Sequence, residues 1–269
     1  MEPVDRIPGS IARTISFVLT DIDDTMTKDG KVLPEAYAAL WMLKEAGFIV
    51  IPVTGRPAGW CDLIARQWPV DAVIGENGAF VFYLEDGRVL KQFFHPSVEG
   101  GNLRERLKKI EADVLAQVPG TRIAKDQFCR LFDLAIDFRE EPPFLGLDEA
   151  ERIKRICEHH GAKAKISSIH VNTWFGEYDK LSMARLFLGE RYGVDLDKEP
   201  ERVFFCGDSP NDEPMFAFFP YTCGVANIGE YLHLMTHLPR YVTEQSHGKG
   251  FAEAAGVLQK RRESHEREI

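Results

Sequence analysis

The sequence predicts an α/β fold built on a parallel sheet, with a second, smaller α/β domain inserted into it. Three observations predict it. Short apolar runs of strand length alternate with helical patterns, as strands covered on both faces require. Residues capable of chemistry follow three of those runs at once: Asp21, Thr54 and Asp208. Between roughly Pro96 and Trp174 the texture changes to amphipathic helices and alternating strands, the mark of a separate layer.

Taken in order, the first buried strand is expected at Ile15–Thr20. Pro34 to Ala46 then reads as a helix, with proline in its first turn and Gly47 as its stop. Further buried strands are expected at Phe48–Val53 and Ala72–Ile74. After Asn77-Gly78, the pattern AFVFYL-EDG-RVLKQFF alternates apolar residues about a turn and predicts a hairpin. Helices are expected at Leu103–Val118 and Leu147–His160, and half-buried strands at Phe128–Phe138 and Ile166–Trp174, with Pro142-Pro143 in a loop. Asp179–Tyr192 predicts a helix ending at Gly193, Val203–Cys206 a buried strand, and Thr222–Ala226 a short one. The charged tail after Val257 reads as a solvated helix end or frayed terminus.

The bulk numbers set limits on function. The chain has 269 residues, 44% hydrophobic and 28% charged, an ordinary globular balance. Its formal net charge of -9 argues against a general nucleic-acid binder, while leaving room for a locally positive site that takes an anionic small molecule. No apolar stretch approaches the ~18 residues that would span a bilayer, and the N-terminus lacks a signal core. The five cysteines are scattered without CxxC spacing, which suits reduced thiols in a cytoplasmic protein. Cys206, inside a strand, reads as a core residue.

Two acidic clusters carry the chemistry. DIDDT (Asp21 to Thr25) and GDSPND (Gly207 to Asp212) each close a buried strand, and carboxylates gathered in one crevice repel each other and lose hydration. A hard divalent cation with oxygen ligands relieves both costs, so the sequence proposes a Mg²⁺ site. Asp21 and Asp23 lie two apart and in extended backbone face the same way. One carboxylate can then attack while the other handles a proton, the logic of an aspartate nucleophile with a paired acid/base. In VTGRP (Val53 to Pro57), the Thr54 hydroxyl and the turn amides can bind phosphate oxygens, and Gly55 allows close backbone approach. Arg56 either holds substrate or sits on the surface. Lys180, in the first turn of its helix after the expected cap Asp179, opposes the helix dipole. Its placement makes sense if it neutralises clustered carboxylates and a phosphate. Asp208 is the expected metal ligand, Asp212 supports the metal or orients Lys180, and Asn211 contacts the phosphate or fixes the loop. Ser-Pro-Asn-Asp is also turn chemistry in its own right.

These four pieces, in this order, resemble the haloacid dehalogenase superfamily of phosphohydrolases. GENGA (Gly75 to Ala79) resembles the NGA segment of its Cof-type, type-IIB branch, and the likeness runs from about Ile11 to Val257. Mannosyl-3-phosphoglycerate and sucrose-phosphate phosphatases are in this capped group, and phosphomannomutase is similar. The resemblance implies a Rossmann-like core, residues 1–95 and 175–269, and an α/β cap, residues 96–174. It implies Asp21 as nucleophile, Asp23 as general acid/base, and Thr54 and Lys180 as phosphoryl-binding groups. It places Mg²⁺ on Asp21, the Asp23 backbone carbonyl and Asp208, with Asp212 in support. Many relatives have glycine after the motif lysine, where this chain has Leu181.

The cap would select the substrate. In its last strand Ile169, Val171 and Thr173 alternate with His170, Asn172 and Trp174. His170 and Asn172 are candidates for binding hydroxyls and Trp174 for lying against a sugar ring, with Arg130, Arg139, Lys125 and Lys165 as further candidates. The expected activity is a Mg²⁺-dependent phosphatase acting through an aspartyl-phosphate on a small phosphorylated metabolite, a sugar phosphate or phosphorylated glycoside. A phosphomutase and a non-catalytic binding protein on the same fold are the alternatives. The partner expected is that metabolite, with no nucleic acid and no membrane, in a monomer or small homo-oligomer.

Overall fold

The computed structural model describes residues 1–94 and 102–263. At its centre is a six-stranded parallel sheet. From edge to edge run Glu2–Pro3, Tyr241–Val242, Tyr221–Gly224, Val203–Gly207, Phe17–Thr20 and Ile49–Pro52. The apolar runs are continuous because both faces are covered. Val18 and Phe204 pack on one side against Leu40 and Leu43 of the helix Pro34–Glu45 and against Phe251 and Leu258 of the helix His247–Glu263. Phe17, Leu19 and Phe205 pack on the other against Met183 and Phe187 of the helix Lys180–Tyr192. The strand Glu2–Pro3, the helix Gly9–Thr14 and the first part of the helix His247–Glu263 had no counterpart in the sequence reading, which gave a helix end as one reading of the tail after Val257; the first two are too short to show a period.

Ala72–Gly75 touches this sheet through a single parallel bridge, Val53 to Ile74. Its full ladder is antiparallel, with Phe80–Glu85, which pairs in turn with Arg88–Phe93. The expected hairpin is present, with Asp86 and Gly87 both at positive φ (50° and 73°) as a type I′ turn requires.

The second layer is an antiparallel sheet in the order Lys163–Ile166, His170–Trp174, Asp133–Asp137, Arg122–Ile123. Two helices, Leu103–Gln117 and Leu147–His159, cover one face, setting Ile110, Val114, Ile153 and Cys157 against Leu134, Ile136 and Val171. Three expectations are corrected here. The run expected as a strand from Phe128 opens instead with a 3-10 turn over Lys125–Cys129, and the strand is only Asp133–Asp137. Gln127 makes the turn fit: its side-chain amide donates to the Asp133 carbonyl (2.8 Å) and accepts from the Ala135 N–H (2.9 Å), taking the place of a strand neighbour. The single strand expected at Ile166–Trp174 is the end of one strand and the whole of another, because the Ser167 N–H donates to the His170 carbonyl (2.8 Å) and its hydroxyl accepts the His170 N–H (3.0 Å) to close a turn. The strands Asp133–Asp137 and His170–Trp174 are fully buried rather than half-buried. Their second face is closed by the first layer, where Phe132, Trp174 and Tyr178 pack with Phe80, Phe82 and Cys61.

Pro142-Pro143 lies in the expected loop before Leu147. The expected start of the insertion, at residues 95–96, lies outside the described residues, as do the last six residues of the charged tail. Cys206 is a buried core residue, as expected.

Gly78 ties the hairpin to the site below. Its φ is +105°, and a Cβ there would overlap the Asp179 carbonyl, next to Lys180. Gly78→Ala should therefore destabilise the protein by more than about 2 kcal/mol, seen as a lower urea midpoint at unchanged m.

Candidate active site

The parallel register brings the acidic clusters together. The Asp21 N–H donates to the Cys206 carbonyl (2.9 Å), so Asp21 leaves its strand beside the point where the chain enters Gly207-Asp208. The Thr54 N–H donates to the Ile74 carbonyl (2.9 Å) at the same edge of the sheet. Ligands of open parallel sheets bind at this carboxyl edge.

Lys180 joins the clusters. Asp179 caps its helix, accepting from the Ser182 N–H (2.7 Å), while the Ser182 hydroxyl accepts from the Asp179 N–H (2.8 Å). The buried Lys180 ammonium donates to Asp21 Oδ1 (2.8 Å) and Asp212 Oδ1 (2.7 Å). The other Asp212 oxygen accepts the backbone N–H groups of Asp208 (3.0 Å) and Ser209 (3.4 Å), and the Thr25 hydroxyl donates to Asp208 Oδ1 (2.9 Å). A Cβ at position 207 would overlap the Asp212 carboxylate, so the loop closes only with glycine there.

The charges do not balance within the protein. Asp21, Asp208 and Asp212 offer carboxylate oxygens that all lie within 4.8 Å of one another, and the cation inside the cluster is Lys180. Burial pushes the Asp21 carboxyl up to about 8 despite the opposing charge of Lys180. Burial and the neighbouring carboxylates of Asp21 and Asp212 push Asp208 well up too. Burial alone would lower Lys180, but Asp21 and Asp212 outweigh it and hold the ammonium above its usual range. With all three ionised, the carboxylates against one ammonium leave two negative charges, which a divalent cation on hard oxygen ligands would cancel. The residues therefore fit Mg²⁺.

The Asp23 side chain is absent from that cluster. Arg56 holds it, with Nε on both carboxylate oxygens (3.0 and 2.9 Å) and Nη2 on Oδ1 (2.8 Å). The same guanidinium reaches Glu140 (2.8 Å) and Asp126 (3.3 Å) of the second layer and lies over the Trp60 ring. Arg56 is thus buried, and the surface alternative for it is corrected. Thr54 accepts from the Arg56 N–H (3.0 Å), and Asn211 accepts from the Ser209 hydroxyl (2.9 Å), fixing both loops.

The expected substrate-facing residues of the last strand are engaged with acids. His170 Nε2 lies 2.9 Å from Glu140, and the Asn172 amide donates to Asp133 (3.1 Å). Asn172 is also close to the position a Gly55 Cβ would take, so glycine is what lets the two layers approach there. Trp174 is corrected outright: it is buried, donates to the Tyr178 carbonyl (3.2 Å) and stacks on Tyr178, so it meets no sugar ring. Arg130 is buried on Asp133 and the Gly55 carbonyl, Lys125 pairs with Glu141 at the surface, and Lys165 lies on an edge strand. Of the four cations, Arg139 lines the cavity described next.

That cavity, about 690 Å³, opens between the layers above Asp23. Among the walls that the sequence reading missed are Asp24, Asn227 and His247. Asp24, in the left-handed region (φ 53°), holds its carbonyl toward the Asn227 amide (3.0 Å) and His247 Nδ1 (3.1 Å), and the His247 N–H donates to Asn227 Oδ1 (2.8 Å). Asn227 comes from the 3-10 turn Ala226–Glu230 and His247 from the start of its helix, with no chemical motif around either; Asp24 lay inside DIDDT. Glu76 was also missed. Buried at the layer junction, it accepts the N–H groups of Ala58 (3.1 Å), Leu131 (2.9 Å) and Phe132 (2.6 Å). Its sequence signal was an acid inside GENGA.

A model for the haloacid dehalogenase-like hydrolases matches residues 18–114. A search of curated proteins finds no match. Among solved structures, the 0175 protein of Thermoplasma acidophilum is 19% identical, with a TM-score of 0.68 over 91% of this chain and 98% of its own. Sucrose-phosphatase from Synechocystis sp. PCC6803, solved with sucrose and phosphate, is 17% identical, with a TM-score of 0.63 over 91% and 98%. The subclass IIB sugar phosphatase BT4131 is 14% identical, with a TM-score of 0.61 over 90% and 99%. The chain shares their fold, and the expected resemblance to the haloacid dehalogenase-like hydrolases is borne out. No described helix is long and apolar enough to cross a membrane.

Two outcomes follow from the charges. Lys180→Met leaves Asp21 and Asp212 buried without their cation and should cost about 3–5 kcal/mol of stability at neutral pH, measured by urea unfolding. Burial pushes Glu140 up, but the hydrogen bond from His170 and the charges of His170 and Arg56 outweigh it and hold the carboxyl at about 2, against an ordinary 4.5. A depressed carboxyl contributes stability that is complete above pH 4.5 and is lost as pH falls toward 2. Glu140→Gln should lack that step, so its stability between those pH values should fall less steeply than that of the unaltered protein.

Proposed function

We propose that this chain, with its haloacid dehalogenase-like fold and motifs, is a Mg²⁺-dependent phosphatase that hydrolyses a small phosphorylated metabolite through an aspartyl-phosphate. The uncompensated carboxylate cluster around Lys180 carries the reading. A binding protein has no use for a nucleophile-ready aspartate held at a strand tip by a buried lysine, beside a second aspartate two residues on.

Lys180 occupies one oxygen of Asp21 and leaves the other to attack phosphorus. The bond to the leaving alcohol breaks as the Asp21–phosphorus bond forms, and Asp23 delivers a proton to the departing oxygen. Asp23 then takes a proton from water as the water attacks phosphorus, releasing phosphate and restoring Asp21. Lys180, the Thr54 hydroxyl and the turn amides at Gly55-Arg56 would hold the phosphoryl oxygens, and Asn211 would brace that loop. Asp21, Asp208, Asp212 and the Asp23 carbonyl would hold Mg²⁺, which when bound offsets the repulsion between the incoming carboxylate and the phosphate. Asp23 must give up at least one oxygen from Arg56 to carry a proton. Substrate entry and that ion pair therefore compete.

The layer from Leu103 to Trp174 would act as a cap over the leaving group, excluding water. A sugar phosphate or phosphorylated glycoside suits the cavity, and the sucrose-phosphatase and BT4131 likenesses support that class. His170 and Asn172 would contribute by fixing Glu140 and Asp133. The free cysteines suit a reducing, cytoplasmic setting.

Asp21→Asn should keep the fold, since the amide fills the same space without a buried charge, and should abolish Mg²⁺-dependent phosphate release from an aryl phosphate. Full activity in that variant would rule out the nucleophile. Transfer of the phosphoryl group back to substrate without phosphate release would favour a mutase.

A further inference from the structure

The cavity that would receive the leaving group is acidic. Six carboxylate side chains line it: Asp23, Asp24, Asp29, Glu140, Glu141 and Glu230. Two guanidinium groups, Arg56 and Arg139, face them, with His247 the other basic side chain. Both guanidinium groups are already engaged. Arg56 is shared among Asp23, Asp126 and Glu140, and Arg139 lies 3.4 Å from Glu230 and 3.5 Å from the Tyr231 hydroxyl. His247 turns its ring nitrogen to the Asp24 carbonyl (3.1 Å).

The phosphoryl group of a substrate would have its own counter-charges deeper in, at Lys180 and at the Mg²⁺ that the carboxylate cluster would hold. A second anionic group on the same molecule would have none. It would stand among carboxylates whose cations are taken, and like charges brought together this way are strongly disfavoured. The walls suit a different molecule. Phe144, an exposed residue, is among the lining side chains and offers an apolar face for the C–H side of a sugar ring. Ser168, Asn227 and the spare carboxylate oxygens offer partners for hydroxyls or an ammonium. The volume lies inside the range of roughly 300–1,000 Å³ usual for small-molecule sites.

We infer that, given the phosphatase reading on which this rests, the alcohol released is a hydroxyl-rich molecule with no negative charge, and that phosphomonoesters bearing a second anionic group are rejected. This excludes leaving groups such as a glycerate, whose carboxylate would need a free cation. His170 does not supply one, since it is turned onto Glu140.

Two matched pairs test the inference: glucose 6-phosphate against 6-phosphogluconate, and fructose 6-phosphate against fructose 1,6-bisphosphate, with Mg²⁺ and p-nitrophenyl phosphate as reference. The neutral member of each pair should have at least a tenfold higher kcat/KM, and the ratio should shrink in high salt. In the double variant Glu141→Lys, Glu230→Lys, which changes two partly exposed side chains, the ratio should fall at least fivefold. Anionic members turned over as well as neutral ones, or a preference the double variant leaves unmoved, would overturn the inference while turnover of the aryl phosphate upholds the phosphatase reading. No phosphate released from any compound, the aryl phosphate included, would overturn both.

Discussion

A single buried ammonium organises this protein. Lys180 lies between Asp21 and Asp212, which are 191 residues apart in the chain, and without it both carboxylates would be buried with no cation. The helix that carries Lys180 starts with a cation, against its own dipole, so its cap has to be strong. Asp179 and Ser182 provide reciprocal hydrogen bonds, and Gly78 leaves room for the Asp179 carbonyl. Leu181, where many relatives of the resembled family have glycine, does not disturb this start: the helix begins at Lys180 and its lysine reaches both aspartates.

A second ion network, centred on Arg56, links the site to the overlying layer. One guanidinium joins Asp23 on the sheet edge to Asp126 and Glu140 above it, and Glu140 passes the contact to His170. Glu76 adds a second link by accepting backbone N–H groups from the other layer. The two layers are thus joined by charge and hydrogen bonding around the cavity as well as by the aromatic cluster of Phe80, Phe82, Phe132 and Trp174. In this arrangement the position of Asp23 depends on where the second layer sits.

Strand-tip chemistry was legible in the sequence because it is local. Asp21, Thr54 and Asp208 each follow an apolar run directly, and a parallel sheet must bring such residues to one edge. The second layer was harder to read. Ile166–Trp174 reads as one strand from the alternation of Ile169 to Trp174, although Ser167-Ser168 puts Ile166 out of phase with it, and the hydrogen bonds of Ser167 show the turn. Its strands looked half-buried because alternation cannot reveal a polar face pressed against another layer. Trp174 was assigned to a ligand for the same reason, when its ring is fully used by Tyr178.

The sequence alone determined the α/β class, the order of the motifs and the identity of the acids that crowd together, since those depend on short-range pattern and charge. Only the tertiary structure decided what each charge faces. It put Lys180 inside the acidic cluster, turned Asp23 onto Arg56, set His170 on Glu140, and brought Asn227 and His247 to Asp24 from segments with no signal of their own. Pairings of this kind depend on contacts between residues far apart in the chain, and electrostatic energy depends on distance and burial, neither of which a linear pattern carries.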